Sequence, residues 1–475
     1  ALKMRKSEMK QKNETCRQME LFGRHGEELT GGTTGGTGAG PLDRAALLSV
    51  LERQRTLTEN LMERIVDYGN LKRAYERVRE NGGGSGTDGM EVEELREWLG
   101  KNINALRTAL LGEQYKVEPV RMVEIPKPEG GKRVLGIPTV RDRMIQQAIQ
   151  QELSCYYDPL FSESSYGFRP GRSAHQAILR AAEYVKEGRE WVVDIDLEKF
   201  FDKINHDRLM QRLSKGIGDK RLLRLIRAYL QAGMMHDGLV EQRTAGTPQG
   251  GPLSPLLSNI VLDELDKELE RRGHSFCRYA DDCNIYVRSR KAGERVMSTI
   301  IDFIEKKLKL KVNREKSGVR HCSDVKFLGY TIMPEGGIRA SDKAIDRLRD
   351  KIREITRRNR GSRLEEVIKE LNITINGWAN YYKLSNTWLT NFKGLDGWIR
   401  RKVRCYRLKQ CGRRYTIFKF LRSLGVPEKS SWNAIMYSQG WWELSNKYAI
   451  KNSMNLGWFA LLGLQSLSLK FNVKS

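Results

Sequence analysis

The chain has 475 residues and a formal net charge of +25, from 84 Lys and Arg residues against 59 Asp and Glu residues. This length suggests about three domains, and so large a positive charge points to a polyanionic partner, nucleic acid before an anionic membrane. We do not expect a membrane-spanning, secreted or zinc-ribbon protein, because no apolar run approaches the roughly 18 residues of a spanning helix, the first 20 residues carry no signal-peptide pattern, and the seven cysteines form no C-x-x-C pair. We therefore expect free thiols in a reducing, cytoplasmic compartment.

The N-terminal part is predicted to be a flexible leader followed by helices. A Gly/Thr-rich run at 31–38 cannot bury apolar surface, which predicts that residues 1–40 form no folded domain. Apolar residues at helical spacing predict helices between 43 and 80 and again over 92–111. The glycine-rich residues 81–89 between them predict a mobile loop.

A basic hairpin is predicted next, with strands over 117–126 and 132–138. Lys127 and Arg133 flank its turn. The point charge of a lysine and the planar fork of an arginine together suit a triphosphate, although an ordinary solvent-exposed hairpin explains the same pattern.

Aromatic and arginine residues mix with turn residues over 164–173, between helices predicted over 141–157 and 174–186. Arg169 and Arg172 are interleaved with rings in this segment. Arginine beside aromatic rings suits nucleic-acid phosphates and stacked bases, so both residues are candidate nucleic-acid ligands.

Acidic residues lie at the ends of two apolar segments. Asp194 and Asp196 lie in a predicted strand over 191–197, and Asp281 and Asp282 lie at a predicted hairpin tip. Aspartate is poorly tolerated within strands, so a metal ion is one explanation for the first pair. Adjacent carboxylates at a tip repel each other unless a cation is bound, and Mg²⁺ is the natural occupant. A solvated acidic turn is the alternative for the second pair taken alone.

Glycine and proline dominate residues 243–255, ahead of a helix predicted over 256–270. Glycines let a backbone approach a ligand closely, which favours a binding loop over an ordinary turn before a helix. An amphipathic helix over 293–308, then Lys316, then a strand over 325–332 complete this region.

From residue 341 the apolar spacing is helical. The segment 397–424 contains ten basic residues and no acidic one, interleaved with aromatic rings. A run of charge is usually a solvated face, but the rings favour nucleic acid. The candidate ligands here are Arg400, Arg401, Lys402, Arg404, Arg407, Arg413 and Arg414.

Taken in order, these motifs resemble those of the group II intron reverse transcriptases, also called intron maturases. The matching segments are the N-terminal extension at 70–89, the fingers residues Lys127 and Arg133, the Tyr-Gly-Phe-Arg-Pro motif at 166–170, the first catalytic motif at 196–202, the template and nucleotide motif at 247–255, the Tyr-Ala-Asp-Asp motif at 279–282, the palm motif at 327–330 and the thumb motif at 377–382. No histidine follows His321, so the chain is similar to the compact branch that lacks an endonuclease domain.

The resemblance implies an α+β fold, a right-hand polymerase with fingers, an antiparallel-sheet palm, a helical thumb and a small basic C-terminal DNA-binding domain. The implied boundaries are a leader over 1–40, the N-terminal extension and fingers over 41–190, the palm with part of the fingers elements over 191–338, the thumb or maturase domain over 339–395, and the DNA-binding domain over 396–475. The implied activity is RNA-directed DNA synthesis that also assists intron splicing and mobility. The implied partners are template or intron RNA, a DNA primer, target DNA and dNTPs, with no membrane, in a bacterial cytoplasm or nucleoid.

The same resemblance assigns roles to individual residues. Asp196, Asp281 and Asp282 would be catalytic and, with Leu197, would hold two Mg²⁺ ions, for which Mn²⁺ can substitute. The dNTP ligands would be Lys127, Arg133, Phe200, Phe201, Gln249, Gly250 and Lys316. Lys316 is also a candidate general acid, one of the two phenylalanines would exclude a 2′-hydroxyl, and Tyr279 joins the nucleic-acid ligands. Asp194 lies where the family tolerates other residues, so catalysis is assigned to Asp196.

Two other functions fit the same residues. One is an RNA-binding maturase that acts only in splicing, and the other is a host-adopted reverse transcriptase used in repair or defence. Decay of the polymerase would be expected to strike its aspartates first, and all three are present. We therefore expect an active polymerase.

Overall fold

The structure is a computed structural model, and it describes residues 60–126, 131–236, 239–241, 245–247, 250–387 and 389–471. The predicted leader over 1–40 lies outside these residues, as do Lys127 and Gln249, and the side chain of Arg133 is likewise not described. Every described residue belongs to one compact unit that begins at Thr56.

Ten strands in the described residues form three sheets. The strands are β1 (Val120–Pro126), β2 (Lys132–Ile137), β3 (Trp191–Ile195), β4 (Met234–His236), β5 (Leu239–Glu241), β6 (Ser275–Tyr279), β7 (Asp282–Val287), β8 (Gly318–His321), β9 (Tyr330–Ile332) and β10 (Ile338–Ala340).

Nineteen α-helices surround these sheets in the same part of the chain. They are α1 (Leu61–Ile65), α2 (Tyr68–Asn81), α3 (Leu95–Leu111), α4 (Val140–Tyr157), α5 (Ala174–Lys186), α6 (Phe200–Lys203), α7 (His206–Gly216), α8 (Lys220–Gln231), α9 (Ser254–Arg271), α10 (Arg290–Phe303), α11 (Asp342–Ile355), α12 (Leu364–Tyr381), α13 (Thr390–Cys411), α14 (Arg414–Ser423), α15 (Glu428–Met436), α16 (Trp441–Leu444), α17 (Tyr448–Ser453), α18 (Leu456–Leu461) and α19 (Leu467–Lys470). The mixed helix and sheet content confirms the predicted α+β class.

The central sheet has the strand order β6-β7-β3-β8 and is antiparallel throughout. Its side chains alternate between two cores: Val193 and Ile195 pack on one face, while Val192 and Tyr286 pack on the other. Because both faces are covered, acidic side chains are accommodated best near the strand ends. The end of β3 and the start of β7 lie at the same edge, since Ile195 pairs with Cys283.

A second sheet has the order β2-β1-β4-β5. β1 and β2 are antiparallel, with Ile125 opposite Arg133, so the predicted basic hairpin is confirmed. β4 joins β1 in parallel through the pairing of Val120 with Met234. The hairpin is thereby tied to the chain that follows α8.

The glycine-rich loop over 81–89 is packed, which differs from the predicted mobility. Arg143 donates hydrogen bonds to the carbonyl oxygens of Gly82 at 3.1 Å and Gly84 at 2.8 Å. A Cβ atom on Gly86 would lie 2.5 Å from the Cα of Thr139. These glycines therefore allow the loop to pack closely against the start of α4. The conformational freedom of glycine alone did not predict this role.

The C-terminal part is helical, and its helices share cores with the predicted thumb. α13 runs unbroken across the predicted domain boundary between residues 395 and 396. The buried carboxylate of Asp396 accepts hydrogen bonds from the N–H groups of Leu467 at 2.8 Å and Ser468 at 2.9 Å. Phe459 and Phe471 pack into the same core as α11 and α12. The composition changes at 396, but the chain fold does not break there.

No helix among the described residues is both long enough and apolar enough to cross a membrane. The six described cysteines are free thiols, five of them buried. Cys16 lies outside the described residues.

Candidate active site

The tip between β6 and β7 brings two carboxylates to the edge of the central sheet. Tyr279 pairs with Asp282, so Ala280 and Asp281 form a two-residue turn. Ala280 has a φ of 58°, in the left-handed region that costs a residue with a Cβ roughly 1–2 kcal/mol. Strained backbone of this kind is concentrated at functional sites.

Asp196 lies beside this turn. The last residue of β3 pairs with the second residue of β7, so Asp196 follows opposite the start of β7, where Asp282 lies. Opposed residues of neighbouring strands project from the same face. The end of β3 is held in place from the other side: the N–H of Asn313 donates to the carbonyl of Asp196 at 2.9 Å, and the N–H of Asp196 donates to Ser317 Oγ at 2.9 Å.

The carboxylates at this edge influence one another. Loss of hydration raises the pKa of Asp282 to about 7, and three nearby carboxylates, those of Asp281, Asp194 and Asp196, add to the rise. Burial also raises the pKa of Asp196; Asp281 adds to this rise and the ammonium group of Lys316 opposes it. Asp282 keeps an exposed surface, so solvent screens part of the repulsion.

A hard divalent cation fits this carboxylate cluster by charge and by donor type. No three or more His, Cys, Asp or Glu side chains of the described ranges form a ready-made cage for a metal ion. Oxygen donors that repel one another at neutral pH are nevertheless the ligand set that Mg²⁺ takes, with the rest of its shell from water and phosphates. Asp196, Asp281 and Asp282 would supply the carboxylates, and the predicted fourth ligand, Leu197, is buried in a bridge to Val312.

Asp194 differs from the other three carboxylates because a guanidinium group forms a direct ion pair with it. Arg320 donates to Asp194 at 2.8 Å. Desolvation raises the pKa of Asp194 and the guanidinium of Arg320 opposes that rise. The neighbour already neutralises this carboxylate, so Asp194 is the poorest of the four candidates for a metal ligand.

The two phenylalanines after β3 have different surroundings. Phe200 is 2% exposed and belongs to the main core, whereas Phe201 is only partly buried at its edge. The rings contact edge to face, with centroids 5.3 Å apart. The carbonyl of Phe201 accepts the N–H of Thr247 at 2.7 Å, which places the start of the glycine-rich loop against this pair.

The glycine pair of that loop is wedged between other elements. A Cβ on Gly250 would lie 2.6 Å from the carbonyl oxygen of Gly136 in β2. A Cβ on Gly251 would lie 2.3 Å from the side-chain oxygen of Gln146 in α4. The predicted nucleotide motif therefore contacts the basic hairpin sheet on one side, while its start contacts the phenylalanine pair.

Two family models match this chain. "Reverse transcriptase (RNA-dependent DNA polymerase)" matches residues 125–332, and "Group II intron, maturase-specific domain" matches residues 345–422. Protein YkfC of Escherichia coli is 34% identical over 287 residues, covering 52% of this chain and 75% of that protein. The chain belongs to the group II intron reverse transcriptases. The expected family and the expected enzyme class, an RNA-directed DNA polymerase, are confirmed.

Other relatives of this reverse transcriptase carry intron names. The group II intron-encoded protein LtrA of Lactococcus lactis is 30% identical, covering 59% of this chain and 60% of LtrA. The putative COX1/OXI3 intron 2 protein of Saccharomyces cerevisiae is 29% identical, covering 61% of this chain and 41% of its own. The chain thus spans well under two thirds of several relatives. Among solved structures, a partial Cas6-RT-Cas1–Cas2 complex is 26% identical with a TM-score of 0.34, covering 52% of this chain and 43% of that one.

Arg169 lies inside the reverse transcriptase domain, in contrast to its predicted contact with nucleic acid. Its guanidinium is buried and donates to Asp158 Oδ1 at 2.7 Å and to the carbonyl oxygens of Asp158, Ser162 and Ser165 at 2.6–2.9 Å. With its donors engaged by protein, the side chain braces the loop after α4. Arg172 is partly exposed and pairs with Glu163, so it keeps an accessible face.

The basic stretch of the maturase domain divides into inward and outward cations. Arg404 is buried, donates to the carbonyl of Met454 at 3.0 Å, and has its pKa lowered to about 10 by burial. Other members stack on rings: Arg401 lies 3.8 Å from the centroid of Trp442, Lys402 lies 5.1 Å from the same ring, and Arg407 lies 4.3 Å from that of Phe420. The burial of Arg404 within the helical packing contradicts its predicted contact with nucleic acid, whereas Arg401, Lys402 and Arg407 stay partly exposed beside their rings. The exposed cations of this stretch are Lys409, Arg413, Arg414, Lys419 and Arg422.

Two features near the carboxylates were not predicted. Phe168 is 52% exposed, has a φ of 58°, and lies with its ring 6.3 Å from that of Tyr279. Arg278, the residue before Tyr279, is completely buried with Asp266. Phe168 could have been found from its place in the Tyr-Gly-Phe-Arg-Pro motif, but nothing in the spacing of Arg278 and Asp266 distinguishes them from surface charges.

The raised pKa of Asp282 predicts a pH-dependent effect of its removal. Its folded-state pKa exceeds the unfolded value of 3.8, so the folded protein loses stability as pH rises from about 4 to about 7. Asp282→Asn removes this loss and should raise Tm, by on the order of 1–2 °C, at pH 8 without divalent ions, and by less at pH 5. Calorimetry with and without Mg²⁺ measures this, and Mg²⁺ should shrink the gain.

The matched control is Asp302→Asn, an exposed aspartate on α10 paired with Lys306 at 2.9 Å. This control should not raise Tm at either pH. A Tm for Asp282→Asn below that of wild type at pH 8 without Mg²⁺ would contradict the repulsion between Asp282 and its neighbouring carboxylates.

Proposed function

We propose that this protein copies RNA into DNA by nucleotidyl transfer at Asp196, Asp281 and Asp282, and that it takes part in the splicing and mobility of a group II intron. The observation that carries the proposal is the meeting of the β3 end with the strained turn between β6 and β7. That junction gathers carboxylates that are separated by 85 residues of chain. The proposed partners are template or intron RNA, a DNA primer, target DNA and dNTPs.

In this proposal the described elements form a right hand. The palm is the central sheet with its helices, within 191–338. The fingers contain the basic hairpin, within 41–190, and the strands β4 and β5 of the same sheet come from the palm range. The thumb begins at α11, and the basic C-terminal region after residue 396 contacts nucleic acid while packing on the thumb. The shared core makes those last two parts one structural body with two surfaces.

The carboxylates would hold two Mg²⁺ ions, or Mn²⁺ in their place, with Leu197 contributing its carbonyl. When bound, the ions acidify the primer 3′-hydroxyl and neutralise charge on the leaving pyrophosphate. Phosphoryl transfer otherwise depends on positioning and electrostatics. Lys316 lies near enough to lower the pKa of Asp196, which supports the proposal that its ammonium group acts as the general acid.

The incoming nucleotide would lie between the basic hairpin and the carboxylates. Lys127 and Arg133 would bind its triphosphate. Gln249 and Gly250 would shape the pocket, supported by the close contact of Gly250 with β2. Phe201 would contact the sugar, because Phe200 is committed to the core.

Nucleic acid would approach the carboxylates along exposed rings and cations. Phe168 and Tyr279 offer neighbouring rings beside the turn, and Arg172 has an accessible face. Base stacking on such rings contributes about 1–3 kcal/mol per base. Arg413 and Arg414, at the exposed start of α14, would contact phosphates of intron RNA or target DNA.

Primer extension on an RNA template with dNTPs and Mg²⁺ tests the catalytic assignment. Asp196→Asn and Asp281→Asn should each lower the extension rate by on the order of 1,000-fold or more, because loss of a metal ligand removes several kcal/mol of charge stabilisation. Asp194→Asn is the matched control, since Arg320 already neutralises that carboxylate, and it should keep its rate within about tenfold. Equal rates for wild type and Asp281→Asn would overturn the proposed function.

The phenylalanine pair gives a second test. Phe201→Ala should raise rNTP incorporation relative to dNTP by about tenfold or more, since truncation opens space for a 2′-hydroxyl. Phe200→Ala should leave that ratio unchanged and instead lower stability by about 3–5 kcal/mol, as for a buried ring. Single-nucleotide incorporation and thermal unfolding measure both. An unchanged ratio in Phe201→Ala would contradict the proposed contact between Phe201 and the sugar.

The exposed basic cluster gives a third test. Replacing Arg413, Arg414 and Lys419 by Gln should make the dependence of log K on log salt shallower by about 2–3, because up to three phosphate contacts are lost. The control replaces Lys267, Arg271 and Arg290, which are exposed but paired with acids on the palm helices. It changes the net charge equally and should leave the slope unchanged. The same slope in both triple variants would place the interface elsewhere.

A further inference from the structure

Arg278 and Asp266 form an ion pair inside the polymerase domain, with both side chains 0% exposed. Arg278 Nε donates to Asp266 Oδ1 at 2.7 Å and Nη2 donates to Asp266 Oδ2 at 2.6 Å. This two-point geometry suits a planar guanidinium and a carboxylate. Burying both charges is expensive, and apolar residues of similar volume often stabilise a core equally well. Stability alone therefore does not explain the pair.

The other donors of Arg278 reach the catalytic turn and the groups that surround it. Nη1 donates to the carbonyl of Ala280 at 2.9 Å and to Asn259 Oδ1 at 3.0 Å. Nη2 also donates to Ser165 Oγ at 2.7 Å. All five guanidinium N–H groups are thus engaged. A lysine, with three donors on one nitrogen, could not reproduce this pattern.

The same network holds the turn from its other side. Asn259 Nδ2 donates to the carbonyl of Gly167 at 2.9 Å. A Cβ on Gly167 would lie 2.3 Å from the Ala280 nitrogen, so the two backbones are in direct contact. The backbone of Arg278 also exchanges hydrogen bonds with Ser164 and Tyr166, each at 2.9 Å. The left-handed conformation of Ala280 is therefore enclosed by buried, satisfied polar groups.

We propose that Arg278 is a positioning residue of the polymerase site: with Asp266 and Asn259 it fixes the Ala280 carbonyl, and thereby the direction in which Asp281 and Asp282 leave the turn. The two carboxylates follow Ala280 directly, so a rotation of its peptide would move both. Asp266, which lies on α9, supplies the countercharge and anchors the guanidinium group of Arg278. The inference rests on the proposed function, because the turn matters only if its carboxylates hold catalytic ions.

The test uses the full chain and the double variant Arg278→Met with Asp266→Leu, which replaces the pair by apolar residues of similar size. Thermal unfolding and primer–template affinity without Mg²⁺ should stay near wild type. We expect kcat for extension to fall about 10- to 100-fold, the Mg²⁺ concentration for half-maximal rate to rise about threefold or more, and KM for dNTP to change less than twofold. A purely structural pair would shift none of these once the variant is folded.

A destabilised control separates positioning from general loss of stability. Arg212 donates to the carbonyls of Ile260 and Val261 at 2.8 Å on α9 and contacts no residue of the turn in the bonds described. Arg212→Met should lower Tm while leaving the Mg²⁺ midpoint unchanged. If the double variant does not fold, Asn259→Ala is the second variant, and it should give the same Mg²⁺ shift in smaller measure.

The possible outcomes separate this inference from the proposed function. Wild type that fails to extend a primer overturns the proposed function itself. Active wild type together with a folded double variant of unchanged kcat and Mg²⁺ midpoint overturns the positioning role alone. A Mg²⁺ shift in Arg212→Met equal to that of the double variant would also overturn it, since the effect would then follow stability.

Discussion

Repulsion among Asp194, Asp196, Asp281 and Asp282 is the constraint around which the central sheet is organised. Asp194, Asp196 and Asp281 each raise the pKa of at least one neighbouring carboxyl group, most clearly that of Asp282. A protonated carboxylate is a poor metal ligand, so the site needs positive charge to remain useful at neutral pH. Arg320 supplies it to Asp194 and Lys316 supplies it to Asp196. No cationic partner is described for the tip residues Asp281 and Asp282. A cation from solution would therefore have to neutralise them.

Holding like charges together also requires a backbone that cannot relax. Two covered faces give the sheet rigidity, because its side chains are packed into separate cores on both sides. The tip itself is held by Arg278, which joins the turn to α9 and to the loop before Phe168. In the proposed function the buried ion pair would fix the geometry near the acidic cluster, while the cluster would carry the chemistry. Burying Arg278 and crowding the aspartates are both energetically unfavourable, and both are features of the same turn and its supports.

The sequence predicted the local elements well because their signals are local. The acidic hairpin, the basic hairpin and the long helices follow from alternation, helical spacing and turn residues. The roles of single arginines did not follow, because burial depends on distant partners. Arg404 is held by the carbonyl of Met454, 50 residues away, and Arg278 by Ser165, 113 residues away. The continuity of α13 across the predicted boundary at 395/396 did not follow either: charge changes there, while the apolar face of the helix is shared with the preceding helices.

The basic stretch has both buried and exposed cations, so the number of its positive charges differs from the number of side chains that could contact nucleic acid. Arg404 has a lowered pKa of about 10, so it stays protonated at neutral pH although it is buried. No acidic residue occurs between 397 and 424 to neutralise it. A buried cation of this kind still adds to the potential outside, because a low-dielectric interior screens it poorly. It releases no counterion from a phosphate, however, since it cannot touch one. In the proposed function the outward cations near Arg413 would therefore set the salt dependence of binding, while Arg404 would strengthen the field that draws nucleic acid toward them.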